Sequence, residues 1–184
     1  MWPHTVAILI GGKSSRMGSP KHKVTFQNGK TMLDVMLEFA SSTAKRTVIV
    51  GGIINTHHCI SDHRPGLGPV AGIEALLTSN IDERYLVVGC DMPLLKTETV
   101  QPLFVDGEAV LYKAKIEEDY PSPLPLVIHA HCKDACSTYL DQGKRSLHGF
   151  LQELDCTFIQ KPRGIEPQLT SINTPDQLHN CTFE

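Results

Sequence analysis

Two cations five residues apart, and one carboxylate at the end of a later apolar run, are the side chains here best suited to chemistry. Arg16 and Lys21 lie in VAILIGGKSSRMGSPK, where the apolar residues Ala7 to Ile10 give way to Gly11, Gly12, Lys13, Ser14, Ser15 and Arg16, and then to Gly18 and Lys21. A buried strand handing over to a glycine-rich loop lets backbone amides turn toward an anion while Lys and Arg neutralise it. Asp91 follows the apolar run Tyr85 to Val88, in VVGCDMP. Nucleotidyl transfer needs cations for a triphosphate, a divalent ion to bridge its oxygens and a carboxylate to hold that ion. Taken singly, Arg16 and Lys21 could equally be solvated loop cations and Asp91 a turn residue beside Pro93; their joint spacing favours a nucleoside triphosphate site.

Of two other phosphate motifs, the first fails and the second is poorly supported. GKS occurs at Gly12 to Ser14, but a Walker loop requires a glycine five positions before its GK pair, where this chain has Ala7. GLGPVAG, Gly66 to Gly72, has the wrong glycine spacing for a dinucleotide fingerprint and a proline where an amide is wanted, and reads instead as a helix start with close backbone packing. The cluster His129, His131, Cys132 and Cys136 has metal-ligand residue types without a second pair to close a tetrahedron, so ordinary core and surface use is the expectation.

The elements that must hold these residues can be read from periodicity and punctuation. Strands are expected at His4 to Ile10, Thr47 to Val50, Tyr85 to Val88, Ala109 to Tyr112, Leu126 to His129, Cys156 to Gln160 and Leu169 to Ile172, with a shorter one near Cys59 to Ser61. Helices are expected after Thr31, whose partner Asp34 completes a capping box, and after Gly68 and Pro69, with Val70, Ile73, Leu76 and Leu77 inward. Others are expected over Thr97 to Val105, over Ala130 to Gln142, and after Ser146 with Leu147, Phe150, Leu151 and Leu154 on one face. A last helix starts at Thr174, with Pro175 and Gln177 in its first turn. VTFQNGK turns at Asn28 and Gly29, Ile53 to Gly66 is a surface loop carrying His57, His58 and His63, and Lys113 to Pro125 is an irregular loop. Alternating strands and helices predict an α/β fold, a mainly parallel open sheet with helices on both faces, binding its ligand beyond the strands' carboxyl ends.

Bulk composition bounds the rest. The 184 residues, 41% of them hydrophobic, suit one domain spanning 1–184. A net charge of -3 without a basic run gives no footprint for nucleic acid, and no apolar stretch approaches the roughly 20 residues that cross a bilayer. Six cysteines scattered without CxxC pairs read as reduced thiols, and with no export signal the expected location is the cytoplasm.

Beyond these residue-level readings, LIGGKSSRMGSPK resembles the LAGGxSxRMGxxK signature of the nucleotidyltransferases related to the molybdenum cofactor guanylyltransferase. The likeness continues in order through DHRPGLGPVAGI, VVGCDMPLL and TSINTPDQL, over nearly the whole chain. The first block is shared in some form by sugar nucleotidyltransferases; GPVAG and CDMP lean toward the guanylyl branch. The resemblance implies that the backbone of Leu9, Ile10, Gly11 and Gly12 lies against the nucleotide and that Arg16 and Lys21 bind its phosphates. It also implies that Asp62 contacts the base or ribose, that Asp91 coordinates Mg2+, and that Asn173 lines the molybdopterin side, although Asn173 also suits a plain turn before the last helix. The implied reaction is attack by the terminal phosphate of molybdopterin on the α-phosphate of GTP, releasing pyrophosphate, with transient contact to cofactor assembly proteins as a further implication.

Two positions depart from the family pattern. Gly51 stands where the family's second strand ends in a guanine-reading asparagine, and the Lys21 to Gly29 connection is one residue longer, with Lys23 as a competing phosphate ligand. The alternatives are a related enzyme using CTP or another acceptor, and a non-catalytic module that binds nucleotide or pterin. Joint retention of Arg16, Lys21 and Asp91 argues against the module.

Overall fold

The computed structural model describes residues 5–10, 20–113 and 123–181. Seven strands form one sheet in the order β3-β2-β1-β4-β6-β5-β7. They are β1 (Thr5–Leu9), β2 (Arg46–Val50), β3 (Cys59–Ile60), β4 (Arg84–Gly89), β5 (Ala109–Tyr112), β6 (Leu126–His129) and β7 (Cys156–Ile159). The central strand β1 pairs in parallel with β2 on one side and β4 on the other, in register from Thr5 to Leu9. Because β2 and β3 continue outward on one side and β4 begins the other, the chain reverses direction across the sheet at β1, which opens a crevice above Leu9 and Gly89.

Alternate residues of the buried strands feed two cores. Ala7, Val48, Val50, Tyr85 and Val87 face α2 (Pro69–Thr78), α4 (Lys133–Asp141) and α5 (Leu147–Leu151). Val6, Ile8, Ile49, Leu86 and Val88 face α1 (Met32–Thr43) and α3 (Thr97–Val100). Burial on both faces explains why these strands read as continuous apolar runs. The α1 cap is as expected: Thr31 Oγ1 accepts from Asp34 N at 3.1 Å while the Asp34 carboxylate accepts from Thr31 N at 2.8 Å. The last helix, α6 (Pro175–His179), carries the same reciprocal cap between Thr174 and Gln177.

The open sheet is mainly parallel, as expected, with β6 alone running antiparallel to its neighbours β4 and β5. Four expectations need correction. The helix expected over Thr97 to Val105 stops at Val100 and tightens into a 3-10 turn, Gln101–Leu103, because Pro102 lacks the amide an α-helix would use. Leu154 lies beyond α5, and the helix expected from Ala130 opens as a 3-10 turn through Cys132. Leu169 to Ile172 is no strand: Glu166–Leu169 is a 3-10 turn, and the following residues cross the strand ends without pairing. The expected single-domain extent stays a proposal that one continuous sheet supports.

Candidate active site

Three segments converge above the carboxyl ends of β1 and β4. A 3-10 turn, Lys21–Lys23, carries the lysine. The loop after β4 carries Asp91, anchored by Cys90 N donating to Leu9 O at 3.0 Å and by the turn Met92 N to Gly89 O. The residues before α6 carry Asn173, anchored by Ile172 N donating to Asp91 O at 2.8 Å. Lys21 Nζ lies 2.5 Å from Asp91 Oδ2 and 2.5 Å from Asn173 Oδ1. Lysine and aspartate keep 24% and 20% of their side-chain surface exposed, so the pair remains open to a ligand.

Asp91 is shaped by its neighbour. A Cβ at Gly89 would lie 2.4 Å from Asp91 Oδ1, so only glycine lets the carboxylate fold back over the strand end. That hard oxygen donor, partly exposed at the strand ends, is of the type that would hold a divalent cation. Cys90 does not supply a nucleophile: burial and the Asp91 charge push its thiol up to about 12. Burial, helped by Lys23, lowers the His22 pKa, so this imidazole adds no charge at neutral pH. Lys23 is exposed further along the turn, and it is Lys21 that the turn brings to Asp91.

Asp62 occupies a separate corner, beyond β3. A Cβ at Gly72 in α2 would meet Val50 Cγ1 at 2.9 Å, Asp62 Oδ1 at 3.3 Å and Leu9 Cδ2 at 3.7 Å, so the glycine is the floor where these residues close together. Asp62 Oδ1 is buried and has no hydrogen-bond partner among the described residues. Burial raises the Asp62 pKa, only partly offset by His63. Gly51 adopts φ 88°, a conformation glycine enters freely, and brings no side chain to this corner. Ile10 reaches back over Gly52, whose hypothetical Cβ would lie 2.7 Å from Ile10 Cδ1.

The structure therefore brings together Lys21, Asp91 and Asn173, and places Leu9, Ile10 and Asp62 along the same strand ends. Gly11, Gly12 and Arg16 lie outside the described residues. His57, His58 and His63 are exposed; His57 Nδ1 meets Thr56 Oγ1 and His63 Nε2 meets Thr78 Oγ1. The histidine-cysteine cluster divides. His131 and Cys132 gather with Glu108 within 4.8 Å, whereas Cys136 Sγ points to Val70 O. Glu108 already accepts from Asp155 N and meets His131, and burial pushes the Cys132 thiol to about 12, so this group clamps β5 to the start of α4.

Sequence reasoning missed one support. Glu74 is 4% exposed in α2, and its Oε1 lies 3.2 Å from Arg64, which also reaches Asp141 at 2.5 Å. Those contacts tie the Asp62 loop to α2 and α4; a lone acid on the apolar face of α2 was the available signal.

Residues 6–157, most of the chain, match the family model described as the MobA-like NTP transferase domain. The chain belongs to the MobA-like NTP transferase family. It is therefore a nucleotidyltransferase, and the Lys21–Asp91 pair sits in the domain that defines the family. Among relatives, the molybdenum cofactor guanylyltransferase of Xanthomonas euvesicatoria is 28% identical, covering 99% of this chain and 96% of that protein. The enzyme of the same name from Shewanella baltica is 27% identical over 96% and 94% of the two chains. The solved structure of molybdopterin-guanine dinucleotide biosynthesis protein A from Archaeoglobus fulgidus superposes with TM-score 0.79 at 27% identity, covering 95% and 94%. A Thermus thermophilus 2-C-methyl-D-erythritol 4-phosphate cytidylyltransferase shares the MobA-like fold at TM-score 0.66 and 14% identity.

Proposed function

We propose that this chain transfers GMP from GTP to the terminal phosphate of molybdopterin, releasing pyrophosphate, in molybdenum cofactor biosynthesis. The observation that carries the reading is the Lys21 ammonium held between Asp91 and Asn173 at the switch point, in a chain whose full-length relatives bear that enzyme's name.

The acceptor is a phosphate monoester dianion and needs no general base. Its oxygen forms the new bond to the α-phosphorus as the bond to the pyrophosphate oxygen breaks and the electron pair leaves with pyrophosphate. Catalysis is then positioning and charge neutralisation. Lys21 turns from Asp91 to the α-phosphate oxygens and stabilises the charge that gathers there, and Arg16 holds the outer phosphates. Asp91 would hold a Mg2+ ion, which would supply neutralisation of the charge on the triphosphate. In this reading the backbone of Leu9, Ile10 and Gly11 would meet the purine, Gly12 would belong to the same nucleotide-binding set, and Asn173 would line the acceptor side. The six free thiols suit a cytoplasmic setting, with cofactor assembly proteins as transient partners.

Base choice falls to Asp62. Its Oδ1, without a partner among the described residues, suits N–H donors; guanine offers adjacent ring and amino N–H groups on one edge, whereas cytosine offers only an amino group. Because Gly51 contributes no side chain, CTP is the reading to test beside GTP. Pyrophosphate release with each nucleoside triphosphate, with and without molybdopterin, separates the cases. Release with GTP and molybdopterin is expected. Activity confined to CTP overturns the guanylyl assignment, and no release with any nucleotide leaves a binding module.

A further inference from the structure

We propose that Asn173 and Gln177 are positioning residues for Lys21, so that the first turn of α6 decides where the catalytic ammonium sits. This rests on the reading of Lys21 as the α-phosphate ligand, and it gives Asn173 a different task from contact with the acceptor.

Lys21 stands on a turn of three residues, and a lysine stem has too many rotamers for so short a base to aim it. Its aim comes from across the molecule, through acceptors 70 and 152 residues away in sequence. The Asn173 amide has one orientation available: Nδ2 donates to Ser171 O at 3.2 Å, which turns Oδ1 toward Lys21 Nζ. Its backbone is held as well, since Asn173 N donates to Gln177 Oε1 at 2.7 Å. The same Gln177 oxygen accepts from Thr174 N at 3.1 Å, and Gln177 N returns a bond to Thr174 Oγ1 at 3.3 Å. One residue earlier, Ile172 is buried and bonded to the Asp91 carbonyl. Lysine, aspartate and the α6 turn thus close a ring in which each member restrains the next.

Residue type fits the task. A neutral amide oxygen aims an ammonium without cancelling its charge, which stays available to a phosphate. A carboxylate at 173 would aim it equally well and neutralise it. Asp91 alone is an insufficient guide in the proposed complex, where it turns to the metal. Asn173 is then the acceptor that keeps Lys21 in place while a hydrogen formerly directed at Asp91 turns to the α-phosphate.

The test pairs a structural readout with a kinetic one. In 15N-labelled protein at low temperature, a slowly exchanging lysine ammonium signal, assigned by its loss in Lys21→Met, is expected in the wild type. It should shift and exchange faster in Asn173→Ala, where Asp91 still holds the ammonium, and stay slowly exchanging, though shifted, in Asn173→Asp. With GTP and molybdopterin, Asn173→Ala should lower kcat about 10- to 100-fold, the size of effect that misplacing a reacting group produces. KM for molybdopterin should stay unchanged. Gln177→Ala should give a smaller loss of the same kind, and Gln177→Glu, which keeps the accepting oxygen, should restore it. An unaltered Lys21 signal in Asn173→Ala overturns the proposal, as does an unchanged kcat with a raised KM for molybdopterin, which would make Asn173 an acceptor contact. If the wild type releases no pyrophosphate with any nucleotide while Asn173→Ala still shifts the signal and speeds its exchange, the positioning stands and the transferase reading falls.

Discussion

Asp62 is a carboxylate with one oxygen sealed from water and, among the described residues, unpartnered, and its raised pKa expresses that cost. The sign follows from linkage. The ionised form is disfavoured in the native state, so a penalty on stability is present above the folded pKa. It fades as pH falls through that value and is gone below the ordinary aspartate pKa of about 3.9. Asp62→Asn is therefore expected to raise the melting temperature at pH 7, with the gain shrinking toward pH 4, while weakening the preference for GTP; thermal melts across that range and competition between nucleotides check both. Lys21 and Asp91 form the other decisive pair. Lys21→Met should reduce turnover about 100- to 1,000-fold, the usual effect of removing a group that stabilises charge in the transition state. Asp91→Asn should fold normally and lose magnesium-dependent turnover, measured as pyrophosphate release against metal concentration; undiminished turnover would remove Asp91 from the mechanism.

At the level of elements, each site residue is aimed by a helix start or a strand end. α2 begins with Pro69 and carries Gly72 on the surface that meets Val50, Leu9 and Asp62. Gly72→Ala improves helix propensity yet drives a methyl to 2.9 Å from Val50 Cγ1. The expected net effect is a loss of about 1–3 kcal/mol of stability, the range for overpacking, with weaker nucleotide binding, readable by denaturant titration and calorimetry. In α6 the cap matters more than the length, because five residues hold little helix of their own. Thr174→Ala removes one side of the box at a cost of about 1 kcal/mol and should slow turnover by loosening Asn173.

Across the whole molecule, the sheet supplies a rigid rim and the helical layers hold its loops. Arg64 connects the Asp62 loop to the buried Glu74 of α2 and to Asp141 at the end of α4. Arg64→Met leaves Glu74 without its cation inside the core, and a burial that costly lowers the melting temperature. Because the loop is freed at the same time, discrimination between GTP and CTP should fall with it; an unchanged ratio would detach this network from base choice.

Much of this could be read from the chain alone. Apolar runs buried on both faces marked the strands, and Thr31 with Asp34, Thr174 with Gln177 and Gly68 with Pro69 marked helix starts, because caps and turns are chemistry between near neighbours. Lys21 and Asp91 were legible as a cation and a carboxylate at strand ends. Reading Leu169 to Ile172 as a strand failed because its apolar pattern reports burial, which Ile172 has, and not membership of the sheet: the Ile172 amide goes instead to the Asp91 carbonyl in the loop after β4. The direction of β6 was equally hidden, since hydrophobic runs carry no record of which way a neighbouring strand travels. Only the tertiary structure decided that Asn173 accepts from Lys21, that Gly72 leaves room for Asp62, and that Arg64 pairs with Glu74. Each depends on where distant segments cross above the sheet, and no local periodicity encodes that.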